Sequence, residues 1–125
     1  MILDTNGLSA LADGDEALES ILRNANELAV PVIVLGEYLY GIQKSRNHLP
    51  YRRWLAGFLP TCRVLSVDPS TAEAYAKVRE QLKAKGRPLP ANDVWIAALA
   101  RQHGLPVLSR DQHFDSVSGL TRVDW

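Results

Sequence analysis

Four acids in this chain stand where chemistry could be done. Asp4 closes the apolar run Met1-Ile2-Leu3, and Asp111 follows the run Leu105 to Ser109. Glu37 and Asp93 each fall near the start of a helical pattern that follows a connection. If the apolar runs are strands of one parallel sheet, Asp4 and Asp111 stand at its C-terminal edge. That is where ligands bind in open α/β sheets, at a switch in strand order. Helices that follow strands begin near the same edge, so all four carboxylates can converge on one crevice. Bare carboxylates held together repel and raise one another's pKa. A divalent cation relieves this, and oxygen donors without histidine or cysteine suit Mg²⁺ or Mn²⁺. Such a cation lowers the pKa of a bound water and neutralises charge during displacement at phosphorus. Thr5, Asn6 and Ser109 are polar neighbours that could orient the carboxylates or the water.

The elements that must position these acids follow from pattern. Pro90 to Gly104 reads as one helix, with Pro90 near its start, Asn92 as a possible cap and Gly104 as its stop. Ile96, Leu99 and Ala100 fall on one face with Ala97 beside them, and small residues there allow close approach to a sheet. Met1 to Leu3 reads as a buried strand entering the turn Asp4-Thr5-Asn6-Gly7, with a short helix at Leu8 to Ala12 and another at Asp15 to Ala25. Leu28 to Val34 reads as a strand with Pro31 in its middle, followed by a helix from Leu35 to Lys44 that puts Glu37 in its first turn. Leu49 to Leu59 is helical. Cys62 to Val67 is a third strand, and Asp68 with Pro69 opens a long helix ending near Gly86. Leu105 to Ser109 is a fourth strand and Leu120 to Val123 a final edge strand. Strands alternating with helices argue for a mostly parallel sheet covered on both faces, a three-layer α/β/α sandwich.

Composition narrows the class. With 125 residues, 46% of them hydrophobic, the chain is long enough for one domain with a real core, expected to span residues 1–125. Lys plus Arg number 14 and Asp plus Glu 14, so any nucleic-acid contact must use a local basic patch rather than overall charge. Lys44 and Arg46, in the polar connection Lys44 to His48, with Arg52 and Arg53 on the next helix, form the best such patch. Lys83, Lys85 and Arg87 form a second cluster, equally explained as cations at a helix C-terminus. The single cysteine, Cys62, excludes an internal disulfide and a cysteine zinc cluster. The three histidines show no metal-ligand spacing, and His113 reads as a surface residue or one that orients Asp111. Trp54, Trp95 and Trp125 read as packing residues, and at least one of Tyr38 and Tyr40, which flank Glu37, as core. No apolar run is long enough to span a membrane and no signal peptide is evident, so the expected location is the cytoplasm.

Four segments recur in a recognisable order: Leu3-Asp4-Thr5-Asn6, Gly36-Glu37-Tyr38-Leu39-Tyr40-Gly41, Asn92-Asp93-Val94-Trp95-Ile96-Ala97-Ala98, and Leu108-Ser109-Arg110-Asp111-Gln112-His113-Phe114. Together they resemble the PIN-domain family, in particular the VapC-type toxins of bacterial toxin–antitoxin pairs. The resemblance covers essentially the whole chain, through the closing Gly119 to Trp125. It implies an α/β/α fold that cuts RNA with Mg²⁺ or Mn²⁺, the metal-site acids being Asp4, Glu37, Asp93 and Asp111. Family members vary at the last position, and Asp115 is a nearby substitute. The resemblance also implies a homodimer and a small, DNA-binding antitoxin that blocks the site.

Two other readings compete. A haloacid-dehalogenase-like phosphatase would also use an aspartate after the first strand, as a nucleophile. It requires a second acid two residues later, where this chain has Asn6, and a lysine in a suitable later context is missing. The other is a PIN-like module that binds RNA or protein without cutting, which the presence of all four acids opposes.

Overall fold

The computed structural model describes all residues, Met1–Trp125. Strand β1 (Ile2–Leu3) runs directly into helix α1 (Thr5–Ala12), which is followed by α2 (Glu16–Arg23). Then come β2 (Ala29–Pro31), α3 (Val32–Ile42), α4 (His48–Phe58) and β3 (Arg63–Leu65). The second half is α5 (Pro69–Ala84), α6 (Ala91–His103), β4 (Val107–Leu108), a 3-10 helix (Gln112–Ser116) and β5 (Arg122–Val123). All four strand pairings are parallel, in the order β3-β2-β1-β4-β5. The expected α/β architecture is therefore present, with a sheet that is wholly parallel. No helix is long and apolar enough to cross a membrane.

The order of the strands fixes where a site can form. From β1 the chain moves outward to β2 and then β3, and only later returns to place β4 on the other side of β1. The gap between the ends of β1 and β4 is thus the switch point at which open α/β sheets bind ligands. The central strands are buried along their length: Ile2, Leu3, Ala29, Val30, Val107 and Leu108 are all inaccessible to solvent. Strands covered on both faces read as continuous apolar runs, as these do.

Helix α6 lies against this core with Val94 and every residue from Ile96 to Ala100 buried. Its burial is wider than the one stripe expected from the sequence, so it is enclosed on more than one side. Gly104 ends it in the left-handed region (φ +64°), a conformation that glycine adopts without a Cβ penalty. Asp68 and Thr71 form a reciprocal capping box at the start of α5, with Pro69 at its first position, as the sequence predicts.

Three boundaries differ from expectation. Helix α1 starts at Thr5 rather than Leu8, because the Asp4 side chain caps it. Strand β2 ends at Pro31, and Val32-Ile33-Val34 wind into α3 instead of extending the strand. Their β-branched side chains favour strands only weakly, and Val34 is buried together with Tyr38 and Ile42 on one face of the helix. Glu37 therefore stands in the second turn of α3, not the first. Finally, Pro90 rather than Asn92 occupies the cap of α6, and it gives no side-chain cap bond.

Candidate active site

The site begins at the end of β1. Asp4 is 4% exposed, and both of its oxygens are engaged. Oδ1 accepts from the Gly7 amide at 2.7 Å, which makes Asp4 the cap of α1. Oδ2 accepts a short hydrogen bond from the Ser109 hydroxyl. Ser109 Oγ in turn accepts from the Asp111 amide at 2.9 Å. One serine thus ties the end of β4 to the end of β1. Gly7 packs closely here: a Cβ would lie 3.2 Å from Asp4 Oδ1 and 3.3 Å from the Leu108 carbonyl oxygen, so these neighbours would have to shift by a few tenths of an ångström.

The other acids arrive from three directions. Asp93 sits in the first turn of α6, where a helix N-terminus favours negative charge. Asp111 caps the 3-10 helix, accepting from the His113 amide at 3.2 Å. Glu37 comes from α3. The four carboxylates are close enough to act on one another. Burial is the main cause that lifts the Asp4 carboxyl above its ordinary range, the hydrogen bonds from Ser109 and Gly7 oppose it, and the charges of Asp111 and Glu37 add to it. Burial also leads in raising Asp93; His113 opposes, and Glu37, Asp111 and Asp4 push the same way as burial.

His113 is the residue that sequence reasoning underrated. Its Nε2 lies 2.9 Å from Asp93 Oδ2 and 3.1 Å from Asp111 Oδ2. Donor atoms of Asp93, Asp111 and His113 all lie within 4.8 Å of one another. The only signal in the sequence was its position two residues after Asp111. Nε2 sits between the two carboxylates. Glu37 Oε1 and Thr5 Oγ1 are buried without a hydrogen-bond partner, as are Tyr38 Oη and Trp125 Nε1. Buried polar atoms are nearly always satisfied, so two unpartnered oxygens beside clustered acids fit a bound water or cation. The donor set is mostly carboxylate, which fits a hard divalent cation.

The remaining candidates separate. Ser109 holds Asp4, as described. Asn6 is exposed on α1. Asp115 is exposed and grips Arg122 in a two-pronged ion pair, Oδ1 to Nε at 2.8 Å and Oδ2 to Nη2 at 3.1 Å. That guanidinium holds the Asp115 carboxyl below the usual carboxylate range. Arg122 Nη1 also donates to the Ser109 carbonyl at 3.0 Å, so Asp115 braces the strand end through arginine. Arg122 was not singled out in the sequence, because nothing periodic links it to Asp115, Asp124 or the Ser109 carbonyl. Lys44, Arg46, Arg52 and Arg53 are all exposed, and none forms an ion pair.

Comparison with known proteins agrees with this geometry. The family model described as "PIN domain" matches residues 1–120. The chain belongs to the PIN-domain family. Among curated PIN-domain relatives, Ribonuclease VapC5 of Mycobacterium tuberculosis is 29% identical over 98% of this chain and 91% of its own. The tRNA(fMet)-specific endonuclease VapC of Shigella flexneri is 31% identical over 82% of this chain and 78% of its own. The solved structure of DNA-bound VapBC from Salmonella typhimurium superposes with a TM-score of 0.87 at 28% identity, covering 99% of this chain and 96% of that one. Membership in the PIN-domain family sets aside the dehalogenase-like phosphatase reading.

Proposed function

We propose that this protein is a Mg²⁺- or Mn²⁺-dependent endoribonuclease of the VapC type, built as one PIN-like domain over residues 1–125. The observation that carries this reading is the meeting of Asp4, Glu37, Asp93 and Asp111 at the switch point between β1 and β4, with buried oxygen atoms there that have no partner. Asp4, Glu37, Asp93 and Asp111 would hold the cation, with His113 beside them. When bound, the cation supplies an activated water and charge neutralisation at a phosphodiester.

The chain's own residues do the positioning. Ser109 and Gly7 fix both oxygens of Asp4, so this carboxylate is oriented before any ligand arrives. Asp93 and Asp111 share His113, whose Nε2 lies within 3.1 Å of an oxygen of each. The exposed basic residues Lys44, Arg46, Arg52 and Arg53 are candidates for RNA backbone contacts, because unpaired surface cations release counterions on binding phosphate. By analogy with the VapBC complexes, the partners are a small, DNA-binding antitoxin that masks the site and a second copy of this chain. The setting is the cytoplasm.

The test is cleavage of single-stranded and structured RNA by the purified protein, in chelator and with Mg²⁺ or Mn²⁺ added. Cleavage that needs metal and disappears in Asp93→Asn supports the reading. A protein that binds RNA in metal but never cuts it is a non-catalytic module, and the reading fails.

A further inference from the structure

The most spacious cleft in the molecule, about 770 Å³, opens beside the acids and has a chemistry of its own. One wall is the connection between α5 and α6, including Lys85 and Arg87; the other is the 3-10 helix, including Gln112, His113, Asp115 and Ser116. His113 belongs to both the cleft and the acid cluster, so the two are continuous.

The cleft is cationic. Lys85 Nζ is held by neutral groups only, the Ser116 carbonyl at 3.1 Å and the Ser118 hydroxyl at 2.7 Å, so its charge is pinned but not cancelled. Arg87 is exposed and forms no ion pair. The acid in the lining, Asp115, is already neutralised by Arg122. Arg87 is also presented on stiff backbone. Its amide donates to the Leu82 carbonyl at 3.0 Å and the Gly86 amide to that of Lys83 at 3.0 Å, which closes α5 in a Schellman turn. Gly86 takes the positive φ this needs, and Pro88 and Pro90 restrict the chain that follows. Little conformational freedom is left to lose on binding.

We propose that this cleft holds the RNA backbone on one side of the cleaved phosphodiester, with Arg87 as its phosphate-contacting residue and Lys85 shaping the wall. The proposal rests on the RNA-cleaving reading above and adds a track and a direction to it. An acid cluster alone repels a polyanion, and two uncompensated cations at its mouth draw the strand toward it.

The experiment compares the parent, Arg87→Gln and Lys77→Gln, an equal charge loss on the exposed face of α5, in metal-supported cleavage of a short single-stranded RNA across salt concentrations. Arg87→Gln should raise KM roughly two- to fivefold, the worth of one partly exposed charged contact, with kcat unchanged. Its salt slope should be shallower by about 0.7, one phosphate on a single strand. Lys77→Gln should match the parent. Substrates shortened from the 5′ end or from the 3′ end, up to the cleaved bond, give the direction: one of the two must lose the difference between parent and Arg87→Gln. If Arg87→Gln matches the parent in KM and slope while the parent cleaves, or both shortened substrates keep the difference, the proposal is overturned. Loss of antitoxin affinity with parental cleavage overturns it in favour of protein docking. A parent that does not cleave overturns the underlying reading instead.

Discussion

The two ends of the acid cluster are built differently. At the β1 end, Asp4 is almost wholly buried and spends both oxygens on fixed donors, the Gly7 amide and the Ser109 hydroxyl. At the β4 end, the side chains of Asp93, Asp111 and His113 are 23%, 38% and 32% exposed. Under the proposed function, the contacts they share are the ones a cation would replace. The first end is set by folding, and the second is more open to solvent. A site made only of fixed, buried carboxylates would carry a large burial penalty in the absence of metal. One made only of exposed carboxylates would hold a cation loosely. Combining the two keeps the geometry while limiting the strain.

The largest effect should come from breaking the fixed end. Asp4→Asn keeps the size of the side chain and can still cap α1, since asparagine is as good a cap as aspartate. It removes charge at the one acid that cannot reorient. Cleavage should fall roughly 100-fold or more, beyond the loss from removing an outer partner of a metal ligand. Melting curves should show the parent gaining stability with Mg²⁺ or Mn²⁺, by mass action, and the variant gaining much less. A variant that responds to metal like the parent would make Asp4 a structural cap and nothing more.

Ser109→Ala tests the fixed end without touching a carboxylate. The residue is fully buried, and its hydroxyl serves Asp4 Oδ2 and the Asp111 amide together. Removing it leaves both unpartnered. Metal affinity or cleavage should drop about 10- to 100-fold. Stability should fall by about 1–3 kcal/mol, the usual cost of stranding buried polar groups. Isothermal titration with Mn²⁺ alongside chemical denaturation separates the two, and an unaltered metal affinity would show that Asp4 orients itself.

What could be read without a structure follows the same division. Asp4 and Asp111 were legible because each ends an apolar run, and a parallel sheet puts such ends on one edge. Asp93 was legible from the start and stop signals of α6. Glu37 was found for a reason that did not hold: local β-branched residues suggested that strand β2 continued to Val34, whereas packing of Val34 and Tyr38 makes those residues helical. The adaptable end was least legible. His113 depends on a 3-10 helix folding its ring back between two carboxylates, and nothing periodic announces that. The engagement of Asp115 by Arg122, seven residues further on, was not legible either, because that pairing is a tertiary fact.

At the adaptable end a smaller effect is expected. His113→Gln removes the group between Asp93 and Asp111 but no carboxylate. Cleavage should fall less than tenfold, within the range for one outer partner. In chelator near neutral pH the variant should be less stable than the parent by about 1 kcal/mol, because two acids lose a nearby donor. The gain on adding metal should then exceed the parent's. A loss of cleavage matching Asp4→Asn would promote His113 from stand-in to essential ligand.

The smallest effect concerns how the fixed end responds to pH in chelator. Burial holds the folded Asp4 carboxyl above the ordinary aspartate value of 3.8. Folding therefore favours its protonated form. That contribution is fully present below the unfolded value and is lost as pH rises through the higher folded one. Asparagine at this position has no proton to lose. Its absence also removes one of the charges raising Asp93. Compared with Asp4→Asn, the parent should thus be relatively most stable in acid and should lose that advantage as pH rises toward neutrality. Each unit by which the folded value exceeds the unfolded one is worth about 1.4 kcal/mol. Groups shifted the other way, such as Asp115 with Arg122, are present in both proteins and cancel in the difference. Urea denaturation in chelator from about pH 3 to pH 7 measures it. Parallel curves for the two proteins would mean that the hydrogen bonds from Gly7 and Ser109 fully offset burial at Asp4, and that the strain lies entirely at the Asp93 end.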